Sequence, residues 1–333
     1  MKIKSIEIKN FRSIKDAIIE MSDFNILVGQ NNCGKTNFFE AVDFFYNGVP
    51  KKIDINSLKF KHDTSFEIEV SIKFSDCQEG ASKMKNEKNK ASILKAIGDS
   101  DEITITRSSL NLKKRTVFVN GAEVSPGTGF DTALNDFLPK FEYVNTKQYY
   151  DSVAKYASTT PMGIMLSGVL SEIVASNQKY KEFQEKFNEL FSDDQSEIKV
   201  EFDKVGQKVK AYLEKQFPDC TKVNFEVTIP AFDDLLKNFN TSVDDGVETD
   251  AEEKGDGMQR ALMLAIIQAY SDFRKQNDDS GKSFLFFIDE AELHLHPSAQ
   301  RKLKDVLLSL SKENDQVFIN THSSVFIADN EPI

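Results

Sequence analysis

Residues 29–36 read Gly-Gln-Asn-Asn-Cys-Gly-Lys-Thr, a complete match to the pattern G-x-x-x-x-G-K-[ST]. No other feature restricts so tightly what this chain can fold into. Consecutive backbone N–H groups must turn inward around a phosphate, and glycine is needed where a side chain would collide. The loop must also open a helix, whose positive N-terminal end attracts anions. The flanking residues supply that frame. Residues 25–28 are a short apolar run ending at Gly29, the pattern of a buried strand that feeds a turn. From Lys35, the apolar residues Phe38, Phe39, Val42, Phe45 and Tyr46 recur at helical spacing until Asn47-Gly48 stops them. Strand, loop and helix together predict a phosphate cradle. Lys35 is expected to reach the β- and γ-phosphates of ATP, and the Thr36 hydroxyl to ligate Mg2+. Cys33 is read as a small residue that fits the loop, with redox sensitivity the less favoured alternative.

Two further apolar strands end in chemistry. Residues 283–289, SFLFFID, form a continuous apolar run typical of a sheet covered on both faces, and Asp289-Glu290 close it. Ligands of open α/β sheets bind at that carboxyl edge. Asp289 is suited to hold Mg2+, usually through water, and Glu290 to orient or deprotonate an attacking water. The bland alternative is that both acids cap the next helix. Glu292, His294 and His296 follow closely. They are read as a dimer-facing loop, with a zinc site the weaker option because no cysteine joins them. Residues 316–320 are a second buried strand, ending in Thr321-His322-Ser323. His322 is expected to touch the γ-phosphate and report its loss, against the alternative of an ordinary capping histidine.

The remaining pattern is α/β. Alternating strands are predicted over residues 1–9, 66–74, 103–107 and 115–119, giving a strand-rich N-terminal lobe over residues 1–165 with the phosphate loop inside it. Residues 81–101 are polar and lysine-rich, read as a loop with a short helix. Residues 166–218 read as a helical insertion, a candidate dimerisation arm too short for a long coiled coil. A C-terminal lobe over residues 219–333 follows. It is expected to hold a strand at 223–229, a mobile acidic loop at 244–254, and helices at 257–273, 298–310 and from 323.

The formal net charge of −11 argues against a surface coated in basic residues for nucleic acid. Local lysine clusters at residues 83–95 and 113–115 read as solvated faces. A chain of 333 residues can bury one large core, or one core with a subdomain. No apolar stretch approaches the roughly 20 residues needed to cross a bilayer. Residues 1–10 alternate charged and aliphatic residues, so no signal peptide is expected in them. Three scattered cysteines fit a reducing cytosol, so a cytoplasmic location is expected.

These motifs resemble the ABC-type ATPases of the SMC, RecF and OLD (overcoming lysogenization defect) group. IKSIEIKNFRSIKD resembles the first strand and "NFR" turn of that group, and GQNNCGKTN its Walker A. FLFFIDEAELHLHP resembles the OLD-type Walker B with E-x-H-L-H-P, and INTHSS the switch-histidine segment. The resemblance covers nearly the whole chain apart from the helical insertion. It implies nucleotide contacts from Gly29, Asn31, Asn32, Cys33, Gly34, Lys35, Thr36 and Asn37. It also implies a head-to-tail homodimer, with ATP held between Walker A of one copy and the signature of the other. The candidate signature is residues 255–260, Gly-Asp-Gly-Met-Gln-Arg, with Gly255, Asp256 and Gly257 as the contacts. Gly255 stands where the common signature has serine, so hydrolysis could be slow or conditional. Gln148 is the candidate Q-loop residue at the metal. Such ATPases are implied to gate DNA processing, with DNA, a nuclease or a helicase as partner, in some cases in phage defence. A Toprim nuclease normally follows, and nothing in these residues resembles one, so a piece of a longer protein is expected. Two functional readings stay open: an ATPase that gates a partner, and an ATP-driven dimerisation or clamp switch with little turnover.

Overall fold

Strand alternation and helical periodicity both persist in three dimensions. The computed structural model describes residues 1–124, 127, 129–144, 154–155, 160–236, 239–277, 282–293, 295–312 and 315–327. Two compact units emerge, one of residues 1–150 with 254–333, the other of residues 151–253.

The first unit opens with β1 (Lys2–Phe11), β2 (Ile14–Glu20) and β3 (Phe24–Val28), then α1 (Lys35–Asn47). β4 (Glu69–Ser75), α2 (Cys77–Ser82), α3 (Glu87–Ile97), β5 (Ile103–Ser108), β6 (Thr116–Val119) and β7 (Ala122–Val124) follow, then α4 (Phe130–Phe137) and β8 (Lys140–Val144). An antiparallel sheet runs in the order β2-β1-β4-β5-β6-β7. Its register sets Ile6 against Ile72 and Ile8 against Val70, so one face is a row of buried β-branched side chains. α1 buries Phe38, Phe39, Val42 and Phe45. The helix ends at Gly48, whose φ of 79° lets its N–H bond back to the Phe44 carbonyl.

The second unit holds α5 (Pro161–Ser176), α6 (Gln178–Phe191), α7 (Glu197–Leu213) and α8 (Phe232–Leu235), with the hairpin β9 (Ser242–Asp244) and β10 (Glu248–Asp250). α6 and α7 pack together, yet Leu190, Val205, Tyr212 and Phe217 stay well exposed.

The chain then returns to the first unit with α9 (Asp256–Asn277), β11 (Phe284–Asp289), α10 (Pro297–Ser311), β12 (Gln316–Thr321) and α11 (Ser324–Ile327). A parallel sheet forms in the order β3-β12-β11-β8. Every residue of β11 and β12 is buried, which explains their unbroken apolar runs. Phe287 stacks on Phe318 with centroids 4.1 Å apart and meets Phe39 of α1 edge-on at 5.0 Å. Phe286 and Ile288, on the opposite face, look toward α9 and α10 across an apolar cleft. Gln316 ties the two sheets together. Its Oε1 accepts from the Ile3 N–H at 2.6 Å, and its Nε2 donates to the carbonyls of Ile3 at 2.9 Å and Ser22 at 3.1 Å.

Three expectations change. Residues 81–101 contain α3, eleven residues capped by Asn86 and anchored by buried Ile93 and Ile97, not merely a loop with a short helix. Residues 223–229 alternate like a strand but form none, and Phe225 and Val227 are exposed. Among the described residues no neighbouring strand takes up their backbone groups there, and alternation alone cannot make a ladder. The acidic stretch 244–254 is not a bare loop, for β9 and β10 pair across a turn at Gly246, whose φ is 117°. β2 escaped notice because Lys15, Asp16 and Glu20 interrupt its apolar residues, and Ile18 and Ile19 lie exposed.

Candidate functional site

β3 delivers the chain to residues 29–34, and Gly34 takes a φ of 104° before α1 begins. No L side chain adopts that conformation easily, and a Cβ there would sit 3.0 Å from Ser13 Oγ. At Gly29 a Cβ would come within 2.7 Å of Cys33 Sγ. Gly34 is therefore required by its backbone conformation, whereas a side chain at Gly29 would force the Cys33 thiol to move. Asn37 Nδ2 donates to Ser13 Oγ at 2.7 Å, and Arg12 pairs with Glu40 at 2.8 Å, so the turn after β1 braces the start of α1. The ammonium of Lys35 lies folded over its own loop, donating to the carbonyls of Gly29 at 2.8 Å and Gln30 at 3.0 Å.

The acidic and histidine strand ends arrive at this loop because β12 lies beside β3, and β11 beside β12, in one parallel sheet. Thr36 Oγ1 donates to the Asp289 carboxylate, 3.1 Å from Oδ2 and 3.2 Å from Oδ1. These residues are 253 positions apart in sequence. Asn320, the penultimate residue of β12, donates through Nδ2 to Asp289 Oδ1 and lies 3.4 Å from Thr36 Oγ1. Burial pushes the Asp289 carboxyl above the ordinary aspartate range, and the charge of Glu290 adds to the effect. Hydrogen bonds from Thr36 and Asn320 pull the other way.

A cavity of about 340 Å3 opens over this cluster, lined by residues 31–37 together with Glu290, Asn320 and His322. Its volume falls in the range of small-ligand sites. Glu290 carries a φ of 47°, a left-handed conformation uncommon for glutamate. Arg260 of α9, only 2% exposed, holds this bend by donating to the carbonyls of Asp289 at 2.5 Å and Glu290 at 2.8 Å. Gly255, Asp256 and Gly257, at the head of α9, are not among the residues lining the cavity. Gln148 and His294 lie outside the described residues. His296 caps α10, its Nδ1 accepting from the Ser298 N–H at 3.3 Å.

Asn320 and Arg260 are the residues the sequence reading passed over as functional. Asn320 had a local signal, because a polar side chain directly after the apolar run Val317-Phe318-Ile319 of a buried strand needs a reason. Arg260 stood inside the candidate signature, but its work is done on a segment about thirty residues further along.

A phosphate loop at the carboxyl edge of a parallel sheet, with an antiparallel sheet packed on the first helix, is the architecture of an ABC-type ATPase head. The chain aligns over 98% of its length with 91% of an SMC head bound to the C-winged helix domain of ScpA, with a TM-score of 0.55 at 18% identity. It belongs to the AAA ATPase domain family, whose model matches residues 1–327. Among curated relatives, the Old nuclease of Escherichia phage P2 is 29% identical over 98% of this chain and 57% of its own length. Endonuclease GajA of Bacillus cereus (strain VD045) is 25% identical over 97% of this chain and 56% of its own length. The chain is thus an AAA ATPase domain similar to part of these OLD-type relatives, and it spans little more than half of their length. Among the described residues, no helix is long and apolar enough to cross a membrane.

Proposed function

We propose that this chain is a Mg2+-dependent ATPase that works as a head-to-tail homodimer and gates the processing of DNA by a nuclease. One observation carries the reading: Thr36 Oγ1 meets the Asp289 carboxylate at 3.1 Å beneath a cavity that also presents Lys35, Glu290 and His322. A hydroxyl and a carboxylate form the oxygen donor set that Mg2+ prefers. Asn320 Oδ1 is buried with no hydrogen-bond partner among the described residues, an acceptor suited to a water held at such a site. Thr36 and Asp289 would hold the ion, which when bound neutralises charge on the β- and γ-phosphates.

The remaining roles belong to this chain's own groups. The inward N–H groups of the loop and the Lys35 ammonium bind the triphosphate. Glu290 accepts the proton of the attacking water as its oxygen bonds to the γ-phosphorus and the bond to the β-phosphate oxygen breaks. His322, which lines the same cavity, would contact the γ-phosphate. Gly255, Asp256 and Gly257 would serve the partner's nucleotide, in keeping with their absence from the lining of their own cavity. The exposed apolar residues of α6 and α7 support a dimerisation arm in the second unit. Relatives bearing the names nuclease and endonuclease support a nuclease as the gated activity.

Steady-state ATPase assays on the purified chain, with and without DNA, test the proposal. Glu290→Gln should bind ATP and turn it over slowly, whereas Lys35→Ala should lose binding. A Glu290→Gln protein with wild-type function would favour an ATP-driven clamp. A Lys35→Ala protein with full turnover would overthrow the ATPase reading.

A further inference from the structure

Glu292 stands two residues past Glu290, in the turn between β11 and α10, and is not part of the cavity lining. Its carboxylate crosses instead to the end of β12. Oε2 accepts from Thr321 Oγ1 at 2.5 Å, and Oε1 accepts from the backbone N–H of His322. The Thr321 hydroxyl, so oriented, accepts from the Ser323 N–H at 3.0 Å. Two consecutive amides leaving the sheet are therefore satisfied by one carboxylate and the hydroxyl it fixes. Gln300 of α10 adds a neutral tie, its Oε1 accepting from Ser323 Oγ at 2.6 Å. The backbones meet as well, with the Ala291 N–H donating to the Asn320 carbonyl at 3.3 Å.

The imidazole of His322 is exposed and lines the cavity, so its aim is set by the backbone that carries it. Hydrogen bonds to an ionised carboxylate are roughly twice as strong as neutral ones. Glu292 thus constrains that backbone directly beyond the end of β12, and it reaches His322 from the segment that carries Glu290. We infer that Glu292 is a positioning residue for His322, locking the γ-phosphate-facing imidazole to the water-activating segment so that the two move as one. The inference rests on the ATPase reading above.

The two roles open to Glu292 predict different kinetics. A residue that merely stabilises a turn would add its cost to any other lesion. A residue that acts through His322 should matter only while His322 is present. The test measures ATP turnover of the full chain as wild type, Glu292→Ala, His322→Ala and the double variant, with thermal unfolding and binding of a fluorescent ATP analogue alongside. Glu292→Ala should lower kcat about 10- to 100-fold, the scale of a small misplacement of a reacting group, with KM little changed. The double variant should be no slower than His322→Ala. Glu292→Gln, which keeps one acceptor oxygen, should recover part of the loss. Should Glu292→Ala fail to fold, Thr321→Val removes one of the two bonds to the carboxylate. It should slow the wild type and be silent in the His322→Ala background. Losses that multiply in the double variant, or unchanged kinetics in Glu292→Ala, would overturn the inference alone. A wild-type chain without turnover would remove the ATPase reading and this inference with it.

Discussion

The guanidinium of Arg260 donates to the backbone carbonyl of Glu290 at 2.8 Å, joining the first turns of α9 to the end of β11. The same nitrogen reaches the Asp289 carbonyl at 2.5 Å. The head of α9, proposed to face a partner's nucleotide, is therefore fastened to the acids that serve the chain's own. Arg260→Ala should remove bonds from a charged group in a buried setting, each worth about 1.5–3 kcal/mol. The expected result is a lower urea midpoint and a turnover loss at unchanged ATP affinity. Arg260→Lys, which has no planar fork, should recover little. Normal stability and turnover in Arg260→Ala would show that the bend at Glu290 holds itself.

Asp289 sets stability against function. Burial raises its carboxyl above the ordinary aspartate value of 3.8, so the folded state holds its proton more tightly than the unfolded chain does. Below that ordinary value both states are protonated and the group costs nothing. From that ordinary value upward the unfolded chain ionises first and stability falls, and once pH has passed the raised folded value the full cost of the buried charge is present. Without Mg2+, Asp289→Asn should therefore be more stable than wild type at neutral pH, with the advantage fading toward pH 3.5, roughly where model aspartates are protonated. Urea titrations at the two pH values measure it, and an advantage that persists unchanged in acid would contradict the assignment. The same variant should lose turnover.

Cys33 offers a native probe of the loop. It is exposed, whereas Cys77 is buried and its thiol is pushed up to about 12, chiefly by burial. At pH 8 only about one Cys77 in ten thousand is then a thiolate, the reactive form. Iodoacetamide followed by peptide mass spectrometry should find Cys33 modified and Cys77 spared. ATP should protect Cys33. Equal labelling with and without saturating ATP would place the nucleotide elsewhere.

Gln316→Leu should loosen the junction between the two sheets. It leaves the Ile3 N–H and C=O buried without their side-chain partner, at a cost of about 1–3 kcal/mol for each unsatisfied group. Chemical denaturation should register the loss. ATP affinity should change little, since Gln316 lies at the opposite end of β12 from Asn320.

The parts legible in sequence are those whose signal is local. Residues 29–36 announce themselves because backbone curvature dictates residue type, and β11 and β12 because burial on both faces leaves no polar alternation. Contacts made across long separations left no such mark. Nothing near Glu292 indicates that it bonds the amide thirty residues away, and nothing near β3 indicates that β12 lies between it and β11. Residues 223–229 show the opposite failure. Their alternation satisfies the local rule for a strand, but a strand is a relation between two segments, and among the described residues no second segment pairs there.

Among the described residues, β3 finds its sheet neighbour only in β12, so the first parallel strand made is completed by the last. During translation at about 5–20 residues per second, β3 must wait on the order of 15–60 s before that neighbour leaves the ribosome. Until then the phosphate-gripping turn has an unsupported floor. A nascent chain of this design should capture no nucleotide, and its antiparallel half should settle first.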